Sequence, residues 1–272
     1  MNKLAFLLSV LKYSITHPVV GKELLKSKFQ TWEDSKDKDL VFDYGSKKMD
    51  LDKILQTLFP DENYSLSSLE GNTIDLQEHA RTFFNKLQTI SYPSKAKPYP
   101  IEYTLDNTSS FFLYTLCKLL KPDKVVETGV AYGLSSMYIL QALYENKKGM
   151  LYSIDFAFRP WQSQEMIGAA IPDNLRKNWK LIFGPSSKDL GKLLSSINPI
   201  DVFFHDSLHT FKNMISEFET VWPYIKKGGF FISDDISCNN AFHKFYSKLN
   251  LEPLILPQKS SQNSFLGILK KS

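Results

Sequence analysis

The chain has 272 residues, 43% of them hydrophobic, enough to bury the core of one α/β domain with an appendage of roughly a hundred residues. Its 33 basic and 29 acidic residues leave a formal charge of +4 with no isolated basic block, which argues against a nucleic-acid footprint. Two distant cysteines, Cys117 and Cys238, have no Cys or His at ligand spacing, which excludes a disulfide framework and a structural zinc and fits a reduced, cytoplasmic setting.

The first apolar run, Leu4 to Leu11 after Lys3, has the look of a signal-peptide core, but it is too short to span a bilayer. Lys12 interrupts it, and no small-residue cleavage site follows. An amphipathic helix packed on the body is the expectation, with docking on a membrane surface through Lys3, Lys12, Lys22 and Lys26 as the alternative and no stable membrane insertion. Apolar spacing over 50–58 and 74–90 is helical, with Pro60 and Gly71 as breakers, so residues 1–95 read as a helical region serving as a lid or partner surface. The proline-rich stretch 92–100 (YPSKAKPYP) reads as the linker to a second domain over 101–272.

From there helices alternate with short β-branched or aromatic runs. Asn107 is the expected cap of a helix that runs to Leu120 and stops before Pro122. Strands are predicted over 124–128, 150–155, 179–183, 201–206 and 230–234, with helices over 135–145, 163–177, 188–196 and 210–226 between them. Two last runs, 252–256 and 265–270, are joined by QKSSQNS with no room for a crossover helix, so they must pair antiparallel. The fold class is therefore α/β: a doubly wound, Rossmann-like sheet of seven strands, mostly parallel and ending in an antiparallel hairpin, preceded by the helical region.

Such sheets bind ligands outside the carboxyl ends of their strands, and here those ends are polar. The first is Val125-Val126-Glu127-Thr128-Gly129-Val130-Ala131-Tyr132-Gly133-Leu134-Ser135-Ser136. Gly129 and Gly133 allow a sharp turn and a close backbone approach, and the N–H groups of the following helix, Ser135 among them, face the ligand. Ala131 and Leu134 stand where a dinucleotide fingerprint has its second and third glycines, and no Walker lysine is present. Glu127 would repel a pyrophosphate. It suits a cofactor with a cationic centre and no phosphate, such as S-adenosylmethionine, whereas a tight turn with a solvated Glu127 is the bland alternative. Asp155, ending the second strand, can accept from both hydroxyls of a ribose or simply cap its loop. After the third strand Ser186 lies near the expected adenine position, and Ser187 is a candidate N-cap.

The fourth and fifth strands end in His205-Asp206-Ser207-Leu208-His209 and Ser233-Asp234-Asp235, which should meet at one rim. Asp206, Asp234 and Asp235 could hold a hard divalent cation such as Mg²⁺, and His209 could take a proton from a substrate hydroxyl. The competing readings are Asp235 as a cap for a helix near Asn239 and His209 as an anchor for its own helix.

With these residues in place, the segment from about Lys124 to Ile236 resembles the class I S-adenosylmethionine-dependent methyltransferases, most closely the bacterial small-molecule O-methyltransferases of methyltransferase family 24. VVETGVAYGLSS is similar to that family's Glu-x-Gly-x-x-x-Gly cofactor loop, LYSIDF to its acidic strand end and LIFGPSSKDL to its turn after strand three. DVFFHDSLHTFKNMISEFETVWPYIKKGGFFISDDI resembles its Asp-x-x-His strand end, acidic helix, Pro-x-x-Lys-x-Gly-Gly turn and final Asp. The resemblance implies Glu127, Gly129 and Gly133 around the methionine part of S-adenosylmethionine, Asp155 at the ribose, Ser186 at the adenine and Asp206 beside the transferring methyl. The aspartate pair is also similar to that of metal-dependent macrolide-sugar and catechol-type O-methyltransferases, although Asp234 stands where family 24 often has His. The implied activity is methyl transfer to a hydroxyl of a small molecule, with a sugar or glycosylated product as the candidate acceptor and Asp206, His209 and Asp235 as catalytic residues. A homo-oligomer is compatible with this reading. A non-catalytic cofactor-binding or scaffold protein is the alternative, and an NAD-dependent oxidoreductase is disfavoured by the turn.

Overall fold

Strand β1 (Lys124–Thr128) is an interior strand of the sheet, with Val125 and Val126 alternating onto opposite faces that are each covered by helices. The structure, a computed structural model, describes residues 3–37, 40–101, 105–157, 159–258 and 264–272, with side chains from Leu8 onward. The side chain of Lys3 and residues 259–263 of the expected hairpin loop lie outside the described residues.

The sheet has the order β3-β2-β1-β4-β5-β7-β6. Strands β2 (Met150–Asp155), β3 (Trp179–Phe183), β4 (Ile200–His205) and β5 (Ile225–Ser233) run parallel to β1. Strands β6 (Leu254–Pro257) and β7 (Phe265–Lys270) form the expected antiparallel hairpin, with β7 against β5. Val125, Val202, Phe204, Phe230 and Ile232 face the core shared with helices α6 (Asn107–Leu120) and α7 (Leu134–Asn146). Val126, Phe203 and Phe231 face the core under α8 (Ser186–Ile197), α9 (Phe211–Val221) and α10 (Ala241–Lys248).

The N-terminal region is helical: α1 (Lys3–Thr16), α2 (Pro18–Asp34), α3 (Leu51–Leu58), α4 (Leu66–Gly71) and α5 (Ile74–Gln88). Ile54, Leu55, Leu58, Leu69 and Leu76 are buried in the same core as α6, α7 and the sheet, so α3–α5 complete that core instead of building their own. Helix α2 is fastened to α9 by polar contacts: the Thr210 hydroxyl donates to Gln30 Oε1 at 2.9 Å, and the Phe211 N–H donates to Asp34 at 2.9 Å.

Several expectations are corrected. The predicted helix over 163–177 is an irregular segment with short 3₁₀ turns at Gln164–Met166 and Asp173–Asn178. Gly168 adopts φ +70° and Pro172 follows. The Gly168 and Ala170 N–H groups donate to Ala131 O and Tyr132 O at 2.9 Å, so the segment is drawn over the turn after β1. The helix predicted to reach Lys226 ends at Val221, because Pro223 forces a 3₁₀ turn and β5 begins at Ile225. Asp106, not Asn107, caps α6, accepting from the Ser109 N–H at 2.8 Å. Ser187 is already helical in α8, whose N-cap is Pro185. Among the described side chains of α1, Leu8, Leu11 and Ile15 are exposed.

Candidate active site

The turn after β1 needs its glycines for the protein's own packing. Gly129 has φ +85°, and a Cβ there would lie 2.0 Å from the carbonyl oxygen of Asp206, where the chain leaving β4 crosses. Gly133 has φ +89°, and its Cβ would lie 2.9 Å from Gly168 Cα and Ile171 Cγ1. The close approaches expected toward a ligand are thus made by neighbouring segments of the same chain.

Asp155 holds this turn open. Its Oδ2 accepts from the Val130 and Ala131 N–H groups at 3.0 and 2.8 Å, and its Oδ1 accepts from Phe156 N–H at 2.6 Å. Burial raises its pKa and these three donors oppose the rise. Asp155 remains on the wall of the cleft, where a ribose is expected.

Glu127 sits behind the turn, with 0% exposure. Its carboxylate accepts from the Ser135 and Ser136 hydroxyls at 2.6 Å and from Ser153 at 2.8 Å. Burial pushes its pKa up to about 7 against the pull of those hydroxyls. The solvated Glu127 of the bland reading is therefore incorrect. At this turn the cleft is lined by Gly129, Val130 and Ala131, with Glu127, Gly133 and Ser135 in the layer beneath.

The cleft, of about 1530 Å³, lies at the carboxyl ends of the strands and brings Gly129, Asp155, Ser186, Asp206, His209, Asp234 and Asp235 to one surface. It exceeds the roughly 300–1,000 Å³ usual for one small ligand, leaving room for two. Its far wall comes from the N-terminal region, including Leu24, Lys28 and Thr31 of α2 and Gln77, Arg81 and Phe84 of α5.

At the rim, three carboxylates crowd together. Burial, then the charges of Asp234 and Asp235, push Asp206 well above the carboxylate range; burial and Asp235 raise Asp234 to about 8. Asp234 accepts from the Gln258 amide, and Asp235 accepts from the Ser264 hydroxyl at 2.8 Å. Asp235 itself has φ +48° and stands before a 3₁₀ turn without capping it through its side chain, so the expected cap for a helix near Asn239 is absent. His209 lies between the acids, Nε2 3.8 Å from Asp206 and Nδ1 3.7 Å from Asp235. Its buried Nε2 has no hydrogen-bond partner. Burial, then His205, lower its pKa to about 4.

Asp206, His209 and Asp234 each offer a ligand atom within 4.8 Å of the others. The crowded acids and the orphaned imidazole nitrogen fit a divalent cation. The grouping differs from the expected carboxylate trio, because His209 takes the place of Asp235, whose backbone is left-handed and whose carboxylate is held by Ser264.

The residue most important to this rim that the sequence reading did not single out is Glu217. Buried on α9, it accepts from Thr128 Oγ1 at 2.6 Å, Ser186 Oγ at 2.5 Å, Ser207 Oγ at 2.8 Å and His205 Nδ1 at 2.9 Å. Burial alone would raise its pKa, but His205 and the hydroxyls outweigh it and bring it down to about 2. Glu217 thereby ties the ends of β1 and β4 to the start of α8, and it engages the Ser186 hydroxyl that was assigned to the adenine side. The available signal was its place among Met214, Phe218 and Val221, an apolar stripe at helical spacing in which a charge demands partners.

Residues 126–236 match a family model described as a methyltransferase domain. No curated protein matches the chain in sequence. Among solved structures, the O-methyltransferase from Bacillus cereus in complex with SAH is 16% identical, with 81% of this chain and 97% of that chain covered and a TM-score of 0.52. The O-methyltransferase TomG from Streptomyces achromogenes, involved in tomaymycin synthesis and in complex with SAM, is 13% identical over 85% and 100% of the two chains, with a TM-score of 0.53. The SAH-bound Podospora anserina methyltransferase PaMTH1 is 16% identical over 81% and 95%, with a TM-score of 0.51. At these identities the likeness is one of fold.

Proposed function

We propose that this chain, built on a methyltransferase domain over residues 126–236, transfers the methyl group of S-adenosylmethionine to a hydroxyl of a small molecule. The observation that carries the reading is one cleft that joins two unlike parts: a turn with no phosphate-binding features, braced by Asp155, and beside it the rim of Asp206, His209, Asp234 and Asp235. The solved structures of similar fold that hold SAM or SAH add support for the cofactor.

In this reading Asp155 exchanges part of its contact with the turn for the ribose hydroxyls, Ser186 borders the adenine, and Gly129 to Ala131 face the methionine portion. Glu127 acts from beneath, fixing Ser135 and Ser136 at the start of α7 and supplying negative charge under the sulfonium. The acceptor oxygen attacks the methyl carbon in line, the carbon–sulfur bond breaks, and S-adenosylhomocysteine leaves. Alignment of the two reactants provides most of the rate. His209, held neutral near pH 7, receives the hydroxyl proton, flanked by Asp206 and Asp235. A divalent cation such as Mg²⁺ would be held by Asp206 and Asp234, with His209 in reach, and would lower the pKa of the acceptor hydroxyl.

The helical region 1–95 is assigned the acceptor side of the cleft, because α2 and α5 contribute lining residues beyond those of the strand ends. A sugar or glycosylated acceptor suits the polar groups of the cleft, among them Thr31 and Gln77 of this region and Asn107 and Thr108 of α6. Calorimetry should show binding of S-adenosylmethionine and none of NAD, and hydroxylated acceptors should yield a methyl ether with a rate that falls in EDTA. Binding of NAD, or cofactor binding with no product from any hydroxylated acceptor, would overturn the reading.

A further inference from the structure

Helices α1 and α2 form a hairpin whose outer face is apolar and basic at once. Leu8, Leu11 and Ile15 recur at helical spacing on α1 with Lys12 among them; Leu25, Phe29 and Trp32 do so on α2 with Lys22, Lys26 and Lys36 beside them. All these apolar side chains are exposed, Leu25 at 73% and Ile15 at 72%. Of the large hydrophobic side chains exposed among the described residues, seven of 13 lie on these two helices, so the exposure is concentrated on this hairpin.

The charges are segregated as well. The acids of α2 turn toward the body: Glu33 pairs with Lys212 at 2.7 Å, Asp34 accepts from the Phe211 N–H, and Glu23 accepts from the Ser187 hydroxyl at 3.4 Å. Lys12, Lys22 and Lys36 are left on the outside, with Lys36 seated over the Trp32 ring at 3.5 Å, while the exposed Lys26 lies 4.0 Å from Glu23 and Lys212 of α9 lies 5.9 Å over the Phe29 ring. The opposite side of α2, through Leu24, Ser27 and Thr31, lines the cleft.

We propose that this outer face docks on a bilayer surface rich in anionic phospholipid. The interleaving of lysines with a tryptophan, a phenylalanine and aliphatic side chains matches an interface where ammonium groups meet phosphates and apolar groups enter the acyl boundary. A second copy of the chain would bring lysines against lysines, which opposes that occupant. No described helix is long and apolar enough to cross a membrane, so the attachment is peripheral. Because α2 serves both surfaces, docking places the cleft wall next to the bilayer, where an acceptor carried in the membrane would arrive. The docking itself does not depend on the methyl-transfer reading.

The test is flotation of the full chain with vesicles of neutral phosphatidylcholine and with vesicles containing one quarter phosphatidylglycerol, read together with Trp32 fluorescence. The expected result is binding to anionic vesicles alone, weakened by salt, with a blue shift that Trp32→Phe removes. The double variant Lys22→Glu/Lys26→Glu should bind at least roughly tenfold more weakly, since each basic residue near such a surface contributes separately. Phe29→Ser should also weaken binding. Unchanged circular dichroism and unchanged S-adenosylhomocysteine affinity in these variants would separate loss of docking from loss of folding. Absence of binding to anionic vesicles at low salt, equal binding to neutral vesicles, or a solution dimer that Phe29→Ser dissociates while vesicles remain unbound would each overturn the proposal.

Discussion

The two sides of the cleft treat their carboxylates in opposite ways. On the β1–β2 side each acid is saturated: Glu127 by three serine hydroxyls, Asp155 by three backbone N–H groups. On the β4–β5 side Asp206, Asp234 and Asp235 repel one another, and His209 Nε2 has no hydrogen-bond partner. A saturated acid is part of the scaffold and stabilises the shape it braces. A crowded, under-satisfied set is destabilising until something cationic or proton-donating joins it, so strain collects where chemistry is expected.

The contrast can be broken most forcefully where the two sides touch. Gly129→Ala places a Cβ against the Asp206 carbonyl at a positive φ, and should cost about 4 kcal/mol or prevent folding, measured by thermal melting. Glu217→Ala should cost about 3 kcal/mol in chemical denaturation, because it strands His205 and three hydroxyl donors in the interior. The wild-type carboxylate, depressed to about 2 in the fold, should give stability that is complete above pH 4.5 and lost as pH falls toward 2. Glu217→Gln should lack that slope.

Smaller effects separate the two walls. Asp155→Ala should lower stability by about 2 kcal/mol and weaken S-adenosylmethionine binding in calorimetry, since the turn loses its brace. Asp234→Asn should do the reverse in the ligand-free protein, raising stability by about 1 kcal/mol through relief of repulsion while turnover falls. Loss of stability in Asp234→Asn would show that the two walls do not differ in this way.

The strands were legible to the residue in places. β1, β2, β3 and β7 coincide with their predicted limits because apolar, β-branched runs bounded by Pro, Gly or Asp leave little freedom. The segment 163–177 was misread because its composition is compatible with a helix, and only its backbone bonds to Ala131 and Tyr132 make the irregular path favourable. Gly129, Asp155, Ser186, Asp206, His209, Asp234 and Asp235 share one cleft, whereas Glu127, Gly133 and Ser135 are not among its lining residues. Glu127 was recognised as an unusual anion, yet its burial depends on Ser153, contributed by a different strand. Glu217 is ordinary in sequence and becomes a junction because β1, β4 and α8 all end around it.

The sequence by itself determined the alternation of strands and helices, the antiparallel ending and the polar strand ends, because these follow from periodicity and chain reach, which are local properties. Only the tertiary structure decided which acids are satisfied and which are crowded. That depends on donors brought from distant segments: Ser153 to Glu127, Thr128 to Glu217, Gln258 to Asp234. The same holds for the hairpin of α1 and α2, whose apolar spacing reads as core until the body is seen to hold α2 by its acids and leave the other face outside.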